Sequence, residues 1–376
     1  FMNRLVSIDA LRGFVMVIML IDHIRETFYL HLQVSDPVDV YATSPELFYT
    51  RFVSSICAPV FIWLTGLSAW LYMQKYSKNE TSKFLLKRGV FLIILEVTLI
   101  AFLWSGKYPP DMFFLQVIWC IGVCMIVLSA MIFLRSWQIL FIGITIVCGH
   151  NLIGDFKLHS DSAFYIVWAM LYQREVIDLG GIIARTSYPI LPWVGVIALG
   201  FISGPWFSST VQSKIRLKKL RDYGLLGLTL FILIRFLNFY GDHPWENTGD
   251  FTTTIMSFLA LTKYPPSLLF NLSMLSLGFL FLFLFEKFQT HKFVRLMSHF
   301  GAAPMFFYVL HLFVLKMLYK IGYSVLGPNQ DQYLSFPNVG YIWMAFILLA
   351  YALYFPTKWF AQYKQANKEI AWLKYF

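Results

Sequence analysis

The stretch "SIDALRGFVMVIMLIDHIRETF", residues 7–28, decides the fold class, because it has the length of a membrane span and yet carries ionisable groups. Crossing the hydrocarbon core takes about 20 mostly apolar residues. A charged side chain inside a span costs at least about 2.5–3.5 kcal/mol on insertion scales, so such groups are functional candidates. We therefore predict a transmembrane helix that carries chemistry, and its ionisable residues are Asp9, Arg12, Asp22, His23 and Arg25.

The rest of the chain has the composition of a polytopic membrane protein. Of its 376 residues, 58% are hydrophobic and only 13% are charged, whereas a soluble domain is about 25% charged. No polar stretch is long enough for a separate soluble domain, so we predict one membrane domain over residues 1–376. The four cysteines lie in apolar segments without metal-ligand spacing, and no metal site is predicted.

Apolar runs predict the helices directly. The fold class expected is all-α, a polytopic integral membrane protein with about ten transmembrane helices plus a short interfacial or re-entrant helix. The short helix is predicted at 161–173. The ten spans are predicted at 5–25, 48–73, 84–105, 112–134, 137–153, 187–207, 223–240, 264–286, 301–321 and 339–360.

The distribution of basic residues predicts the orientation. Lys and Arg concentrate in the connections 74–88, 208–222 and 287–300 and in the C-terminal tail. By the positive-inside rule these segments are cytoplasmic, so both termini are expected on the cytoplasmic side of the membrane. The net charge of +10 is then a topology signal, and no nucleic-acid partner is predicted. The long connections expected outside are 26–47, 154–186, 241–263 and 322–338.

Arg12 and His23 share one face of the first helix. They are eleven residues apart, which is three turns plus about 20°. The same spacing separates them by about 16 Å along the helix axis. One face thus offers a fixed cation at one depth and a titratable imidazole at another. The alternative interpretation is structural, with Asp9 and Arg12 as an internal ion pair and His23 as a buried hydrogen-bonding group.

Other polar groups lie inside the predicted spans, and these are Glu96, Gln116, Arg235, Asn238 and His311. His311 is mid-span and is either a packing residue or a further catalytic candidate, with Tyr308 one turn before it. Glu96 is expected to pair with a basic residue of another helix. Arg235, Asn238 and Gln116 are candidate donors to a developing oxyanion or to a bound cofactor.

Five blocks in order resemble the heparan-alpha-glucosaminide N-acetyltransferase-like family, with this chain as a bacterial member. The blocks are "RLVSIDALRGFVMVIMLIDHIRETF", "TSPELFYTRFVSSICAPVFIWLTGLSAWLY", "FLQVIWCIG", "YPILPWVGVIALG" and "TKYPPSLLF". The first block is also similar to the wider transmembrane acyltransferases, such as acyltransferase family 3. There, an Arg, ten residues and a His mark the first helix, and Arg12 and His23 match that spacing.

The resemblance implies transfer of an acetyl group from cytoplasmic acetyl-CoA to an amino or hydroxyl group of a sugar or glycan acceptor. It implies a histidine general base, a role that suits imidazole near neutral pH. His23 matches the acyltransferase spacing, whereas His31 lies nearest the position implied by lysosomal members of the family. We rank His23 first because it shares the face of Arg12, and His311 is the next candidate. Arg12, with Arg235, Asn238 and Gln116, would bind the coenzyme.

Several alternatives stay open at the level of sequence. A solute or proton-coupled transporter also places charges inside helices. Direct transfer and a covalent acetyl-histidine intermediate are both compatible with the residues, as are N- and O-acetylation. Membrane lipids are expected partners, a homodimer is one candidate assembly, and the oligomeric state stays open.

Overall fold

The computed structural model describes residues 5–154, 156–370 and 372–373. Of these described residues, 69% are helix and 3% are strand. It divides into two compact units. The first unit consists of Phe1–Cys57, Asn247–Ala260 and Phe281–Phe376, and the second of Ala58–Glu246 and Leu261–Leu280.

The elements follow in chain order. The helices are α1 (Val6–Phe28), α2 (Pro45–Ser54), α3 (Cys57–Met73), α4 (Lys78–Leu95), α5 (Ala101–Ser105), α6 (Val117–Met131), α7 (Ser136–Gly149), α8 (Tyr165–Leu171), α9 (Leu191–Ser203), α10 (Ser213–Leu237), α11 (Phe251–Leu259), α12 (Leu268–Lys287), α13 (Lys292–Ala302), α14 (Pro304–Leu326) and α15 (Val339–Ala366). A π-helical segment, Glu96–Ile100, joins α4 to α5. The strands are β1 (Phe113–Phe114), β2 (Val176–Asp178) and β3 (Ile183–Arg185).

Each predicted span contains at least one helix, but the bounds differ and the count of ten membrane crossings is not confirmed. Within the described residues, five helices are long and apolar enough to cross a membrane, namely Pro45–Met73, Ser136–Ile153, Leu268–Lys287, Pro304–Leu326 and Val339–Ala366. The apolar helices α6 and α9 are shorter. At a rise of about 1.5 Å per residue, they do not by themselves cover a core about 30 Å thick.

A small sheet departs from the all-α prediction. Its strand order is β1-β3-β2, with β1 parallel to β3 and β2 antiparallel to β3. Phe113 pairs with Ala184, and Leu115 donates its N–H to the carbonyl oxygen of Arg185. The predicted helix 112–134 therefore begins only at Val117, because its first residues join a ladder with a distant segment.

Two helices occupy stretches that the sequence predicts as connections. They are α11, within 241–263, and α13, which begins within 287–300 and ends at Ala302. The side chains of Val294, Met297 and Phe300 are buried and recur at the spacing of one helix face. The helix α13 is therefore a packed amphipathic element rather than a basic loop.

The first unit is built around α1. This helix contacts α2, α13, α14 and α15, and Ile8, Leu20 and Ile24 on it are buried. In the second unit, α4 packs on α6, and α9 contacts both α6 and α7. The candidate groups of α1 thus lie in the core of the first unit.

Candidate active site

A pair of histidines from α1 and α14 forms the centre of the candidate site. His23 Nδ1 and His311 Nε2 are 2.6 Å apart. The two rings stack with centroids 4.9 Å apart and planes inclined by 7°. His23 is 7% exposed and His311 is fully buried, at 0%. Two of the three predicted catalytic histidines are therefore in direct contact.

The hydrogen bonds of this pair assign its tautomers. His311 Nδ1 lies 2.8 Å from the carbonyl oxygen of Phe307, and a carbonyl only accepts, so Nδ1 carries the proton. In a neutral imidazole the second nitrogen then accepts. His311 Nε2 therefore accepts from His23 Nδ1–H, and the lone pair of the His23 ring is on its Nε2. In this network Nε2 is therefore the His23 atom that can accept a proton.

Aromatic rings surround the pair. The Tyr308 ring lies edge-on to His23, with centroids 5.9 Å apart, and its centroid is 5.4 Å from that of His311. Phe307 stacks on His311 at 5.2 Å. Tyr308 is 2% exposed. Burial among rings keeps water away from the two imidazoles and strengthens the electrostatic interactions between them.

An ion-pair network holds α2 against the turn of α1 that carries His23. Asp22 accepts from Arg25 at 2.8 Å and from Arg51 of α2 at 3.1 Å. Arg25 also lies 3.2 Å from Glu26. Asp22, Arg25 and Arg51 are all buried. Although Asp22 adjoins His23 in sequence, these contacts show that it braces two helices.

Arg12 takes part in the ion pair that the sequence allows. Its Nη1 is 3.0 Å from the carboxylate of Asp9 and 3.3 Å from the carbonyl oxygen of Gly301. The side chain is 20% exposed. A guanidinium has five N–H donors, so these two contacts do not by themselves exclude an anionic ligand. The role of Arg12 toward a coenzyme stays a prediction.

His31 lies on the turn after α1 and is half-buried. Its ring packs against Tyr29, with centroids 4.5 Å apart. Within the described chain its buried Nδ1 has no hydrogen-bond partner. No hydrogen bond or ring contact among the described residues joins it to the pair formed by His23 and His311. The structure thus places His31 outside that pair.

The other predicted ligands belong to the second unit, where each interacts with the backbone. Arg235 Nη1 donates to the carbonyl oxygen of His243 at 2.6 Å. Asn238 ends α10 with a left-handed φ of 57°, and its side chain makes two hydrogen bonds of 2.9 Å to the backbone of Trp245. Gln116 is the residue at the N-terminus of α6, and its carbonyl accepts from Cys120. The first two brace the turn after α10, and coenzyme binding by any of the three stays a prediction.

Glu96 has a different partner from the basic residue expected. Its carboxylate accepts the backbone N–H of Trp119 at 3.0 Å, in the first turn of α6. The residue is 2% exposed. The first N–H groups of a helix have no partner within the helix and attract negative charge. The side chain of Glu96, in the π-helical segment after α4, therefore caps the N-terminus of α6.

The contact between His23 and His311 is the feature that the sequence did not predict. The two residues are 288 positions apart, and no periodicity links them. The sequence suggests His23 because of its spacing from Arg12, and His311 because it is mid-span, so each is a separate candidate. Co-variation of the two positions across related sequences is the signal that would have revealed the contact.

The apolar helices define the class, that of helical integral membrane proteins, and this one contains a buried, hydrogen-bonded imidazole pair. The chain belongs to the heparan-alpha-glucosaminide N-acetyltransferase family, because the family model "Heparan-alpha-glucosaminide N-acetyltransferase, catalytic" matches residues 4–243. Membership indicates a membrane acetyltransferase. A comparison with curated proteins gives no match. The matched range includes His23, whereas His311 lies beyond it.

Proposed function

We propose that the protein transfers an acetyl group from acetyl-CoA to an amino or hydroxyl group of a sugar or glycan acceptor, with His23 as the general base. The observation that carries the proposal is the hydrogen-bonded pair of His23 and His311. Its tautomers present His23 Nε2 as a base, and the family supplies the reaction class. The proposal treats residues 1–376 as one functional domain.

The reaction balances without a further co-reactant. His23 Nε2 takes the proton of the acceptor N–H or O–H while the acceptor atom attacks the thioester carbonyl. The tetrahedral intermediate then collapses, the C–S bond breaks, and coenzyme A leaves as a thiolate. The thiolate takes the proton from His23 Nε2. The acetylated acceptor and coenzyme A are the products, and His23 returns to its neutral form.

His311 is a positioning residue in this scheme. Its Nδ1–H is held by Phe307, which turns Nε2 toward His23. When His23 accepts a proton, its Nδ1–H becomes a charged donor to that same nitrogen, and such bonds are stronger than neutral ones. The bond therefore strengthens during the reaction and offsets part of the cost of a buried charge.

The coenzyme brings phosphate groups that need cationic partners. We assign Arg12 to this role because a guanidinium matches phosphate geometry and because its side chain retains 20% exposure. With both termini in the cytoplasm of a bacterium, the basic connections 74–88 and 208–222 face the cytoplasmic pool of acetyl-CoA. They would also contact anionic lipid.

Release of coenzyme A tests the function. The full chain in nanodiscs is given acetyl-CoA and a panel of amino sugars and neutral sugars, and free thiol and acetylated sugar are measured together. The proposal predicts equal amounts of both products. The control variant His159→Ala should remain active, because His159 is exposed. Uptake of sugar into proteoliposomes without any acetylated product would contradict the proposal and favour a transporter.

A further inference from the structure

Both ring nitrogens of His150, at the C-terminus of α7, face carbonyl oxygens. Nδ1 lies 2.8 Å from the carbonyl oxygen of Ile146, one turn earlier in the helix. Nε2 lies 2.8 Å from that of Pro266, in the segment before α12. The residue is only 3% exposed. A carbonyl oxygen only accepts, and a neutral imidazole carries a proton on one nitrogen alone. Both contacts are therefore hydrogen bonds only when His150 is positively charged.

Either neutral tautomer makes one of the two contacts unfavourable. With the proton on Nδ1, the lone pair of Nε2 faces the carbonyl oxygen of Pro266, and with the proton on Nε2 the same conflict arises at Ile146. A buried acceptor without a donor costs free energy. The contact with Ile146 lies within one helical turn, so the contact with Pro266 is the one that can open.

The surroundings of His150 contain groups that favour a positive charge and groups that oppose it. The C-terminus of a helix attracts cations, and His150 is the residue that ends α7. Burial opposes the charge, and within the described chain no acidic side chain forms an ion pair with His150. Besides Tyr172, whose ring centroid is 6.0 Å away, the titratable side chains on the elements around it are Cys148, Arg174, Tyr240, Asp242, Lys263 and Tyr264. Asp242 favours the charge and the two cations oppose it, so the carbonyls on both nitrogens decide for the charged ring.

A second link joins the same two segments without a titratable group. Asn151 Oδ1 accepts the backbone N–H of Leu268, the first residue of α12, at 2.9 Å. The amide of Asn271 donates to the carbonyl oxygen of Pro266 at 3.4 Å. Amide side chains do not titrate, so these two bonds persist at any pH that the fold tolerates. Two adjacent residues, His150 and Asn151, thus supply one link that depends on protonation and one that does not.

We propose that His150 is a pH-dependent latch between the end of α7 and the segment that leads into α12. The charged ring donates to Ile146 and Pro266, and release of its proton to water removes the bond to Pro266 and loosens that segment. Imidazole is the side chain that titrates near physiological pH. Residue 150 lies near the external end of the predicted span 137–153, so the latch responds to the external pH. It goes beyond the proposed acetyl transfer, because it operates without any substrate.

Thermal melting of the full chain in phosphatidylcholine nanodiscs, from about pH 5 to about pH 8, tests the latch across the titration range of imidazole. His150→Gln keeps an amide that can donate to one carbonyl but does not titrate. Asn151→Ala removes the link that is independent of pH. His159→Gln is the matched control, because His159 is an exposed histidine in the connection that follows α7.

The two links should differ in their pH dependence. An unfolded histidine loses its proton near pH 6.5, so a bond that needs the charged ring stabilises the fold fully below that pH and is lost as the pH rises. The wild type should melt a few degrees above His150→Gln in acid, and the difference should vanish at the alkaline end. Asn151→Ala should melt lower by the same amount at every pH, and His159→Gln should follow the wild type. A difference between the wild type and His150→Gln that stays constant or grows with pH would overturn the latch.

Nitrogen NMR of the protein labelled with ¹⁵N-histidine tests the charge itself, independently of stability. The signals of His150 are those absent from His150→Gln, or from His150→Asn if the glutamine variant does not fold. In acid both ring nitrogens of His150 should carry a proton, and at the alkaline end one should not. An unprotonated ring nitrogen at about pH 5, well below the ordinary titration of imidazole, would show a neutral packing histidine and overturn the proposal.

Discussion

At the scale of residues, the two rings of the histidine pair do different work. His311 is fixed by the carbonyl of Phe307 and accepts from His23, so it sets the tautomer and the orientation of His23, the proposed base. A misplacement of about 1 Å in a reacting group can cost about 10²-fold in rate. Loss of the hydrogen-bond acceptor at position 311 should therefore misorient His23 and lower the rate of acetyl transfer.

Two substitutions of His311 separate orientation from packing. His311→Gln keeps an amide oxygen that can accept from His23 Nδ1–H, whereas His311→Leu does not. We expect kcat to fall about 10²-fold in the leucine variant and clearly less in the glutamine variant, as measured by thiol release per folded protein. An equal loss in both variants that follows their melting temperatures would instead indicate a packing histidine.

The ion pairs beside His23 make a stability prediction. Asp22→Asn leaves Arg25 and Arg51 buried against a neutral amide, and breaking a buried pair costs about 3–5 kcal/mol. The melting temperature should drop strongly. Glu26→Gln is the matched control, because the side chain of Glu26 is 39% exposed and a surface pair contributes about 0–1 kcal/mol. Similar melting temperatures for the two variants would mean that the network is not a structural brace.

Residue-scale prediction from sequence succeeds where contacts are local. The pair of Asp9 and Arg12, three residues apart on one helix, was one of two interpretations of the spacing and is present at 3.0 Å. The contact of His23 with His311 was not predictable, because it depends on how α14 packs on α1. The same holds for Glu96, whose partner is the end of another helix.

At the scale of elements, the crossing of α1 and α13 positions Arg12. A Cβ added to Gly301 would lie 1.8 Å from the carbonyl oxygen of Asp9, and one added to Gly13 would lie 1.9 Å from that of Met297. The two backbones therefore approach as closely as glycine permits. This approach brings the carbonyl of Gly301 within 3.3 Å of the guanidinium of Arg12.

Gly301→Ala should force α1 and α13 apart. Overpacking of a tight contact typically costs about 1–3 kcal/mol, so we expect a lower melting temperature and weaker acetyl-CoA binding through the displaced Arg12. Gly149→Ala is the control, because a Cβ there meets nothing within 4 Å. Melting and acetyl-CoA titration of both variants check this. An unchanged Gly301→Ala protein would show that the helices do not pack this closely.

The sequence analysis missed α13 and β1 for a common physical reason: each depends on contacts with distant parts of the chain. The helix α13 has 11 residues, fewer than the apolar run of about 20 that marks a span, and its basic face made it resemble a loop. The strand β1 takes its structure from a partner near residue 184. Local hydropathy contains neither signal, whereas it located the long apolar helices.

At the scale of the whole molecule, composition predicts an integral membrane protein, but the number of membrane crossings is harder to predict from the sequence. Length and apolar content support five spans in the described chain. The helix α1 is long but holds buried charges that a hydropathy average penalises. Those charges are satisfied by tertiary partners such as Arg51, which a single-sequence window does not contain.

Cysteine labelling tests the predicted orientation. In a Cys148→Ser background, because Cys148 is the exposed native cysteine, a membrane-impermeant maleimide is added to intact cells that express Thr210→Cys or Gln332→Cys. Both positions are exposed. The basic connection 208–222 should stay unlabelled and the connection 322–338 should react. Labelling of Thr210→Cys without lysis would reverse the orientation and remove the argument for cytoplasmic acetyl-CoA.

The most direct test of the central claim is the rate of acetyl transfer by His23→Ala, measured per folded protein at saturating acetyl-CoA. The account predicts a loss of about 10²–10⁴-fold, the contribution of a general base, with acetyl-CoA affinity unchanged. His31→Ala, measured in parallel, should keep its rate, because His31 lies outside the pair. Full activity in His23→Ala, together with loss in His31→Ala, would contradict the account and move the base to the turn after α1.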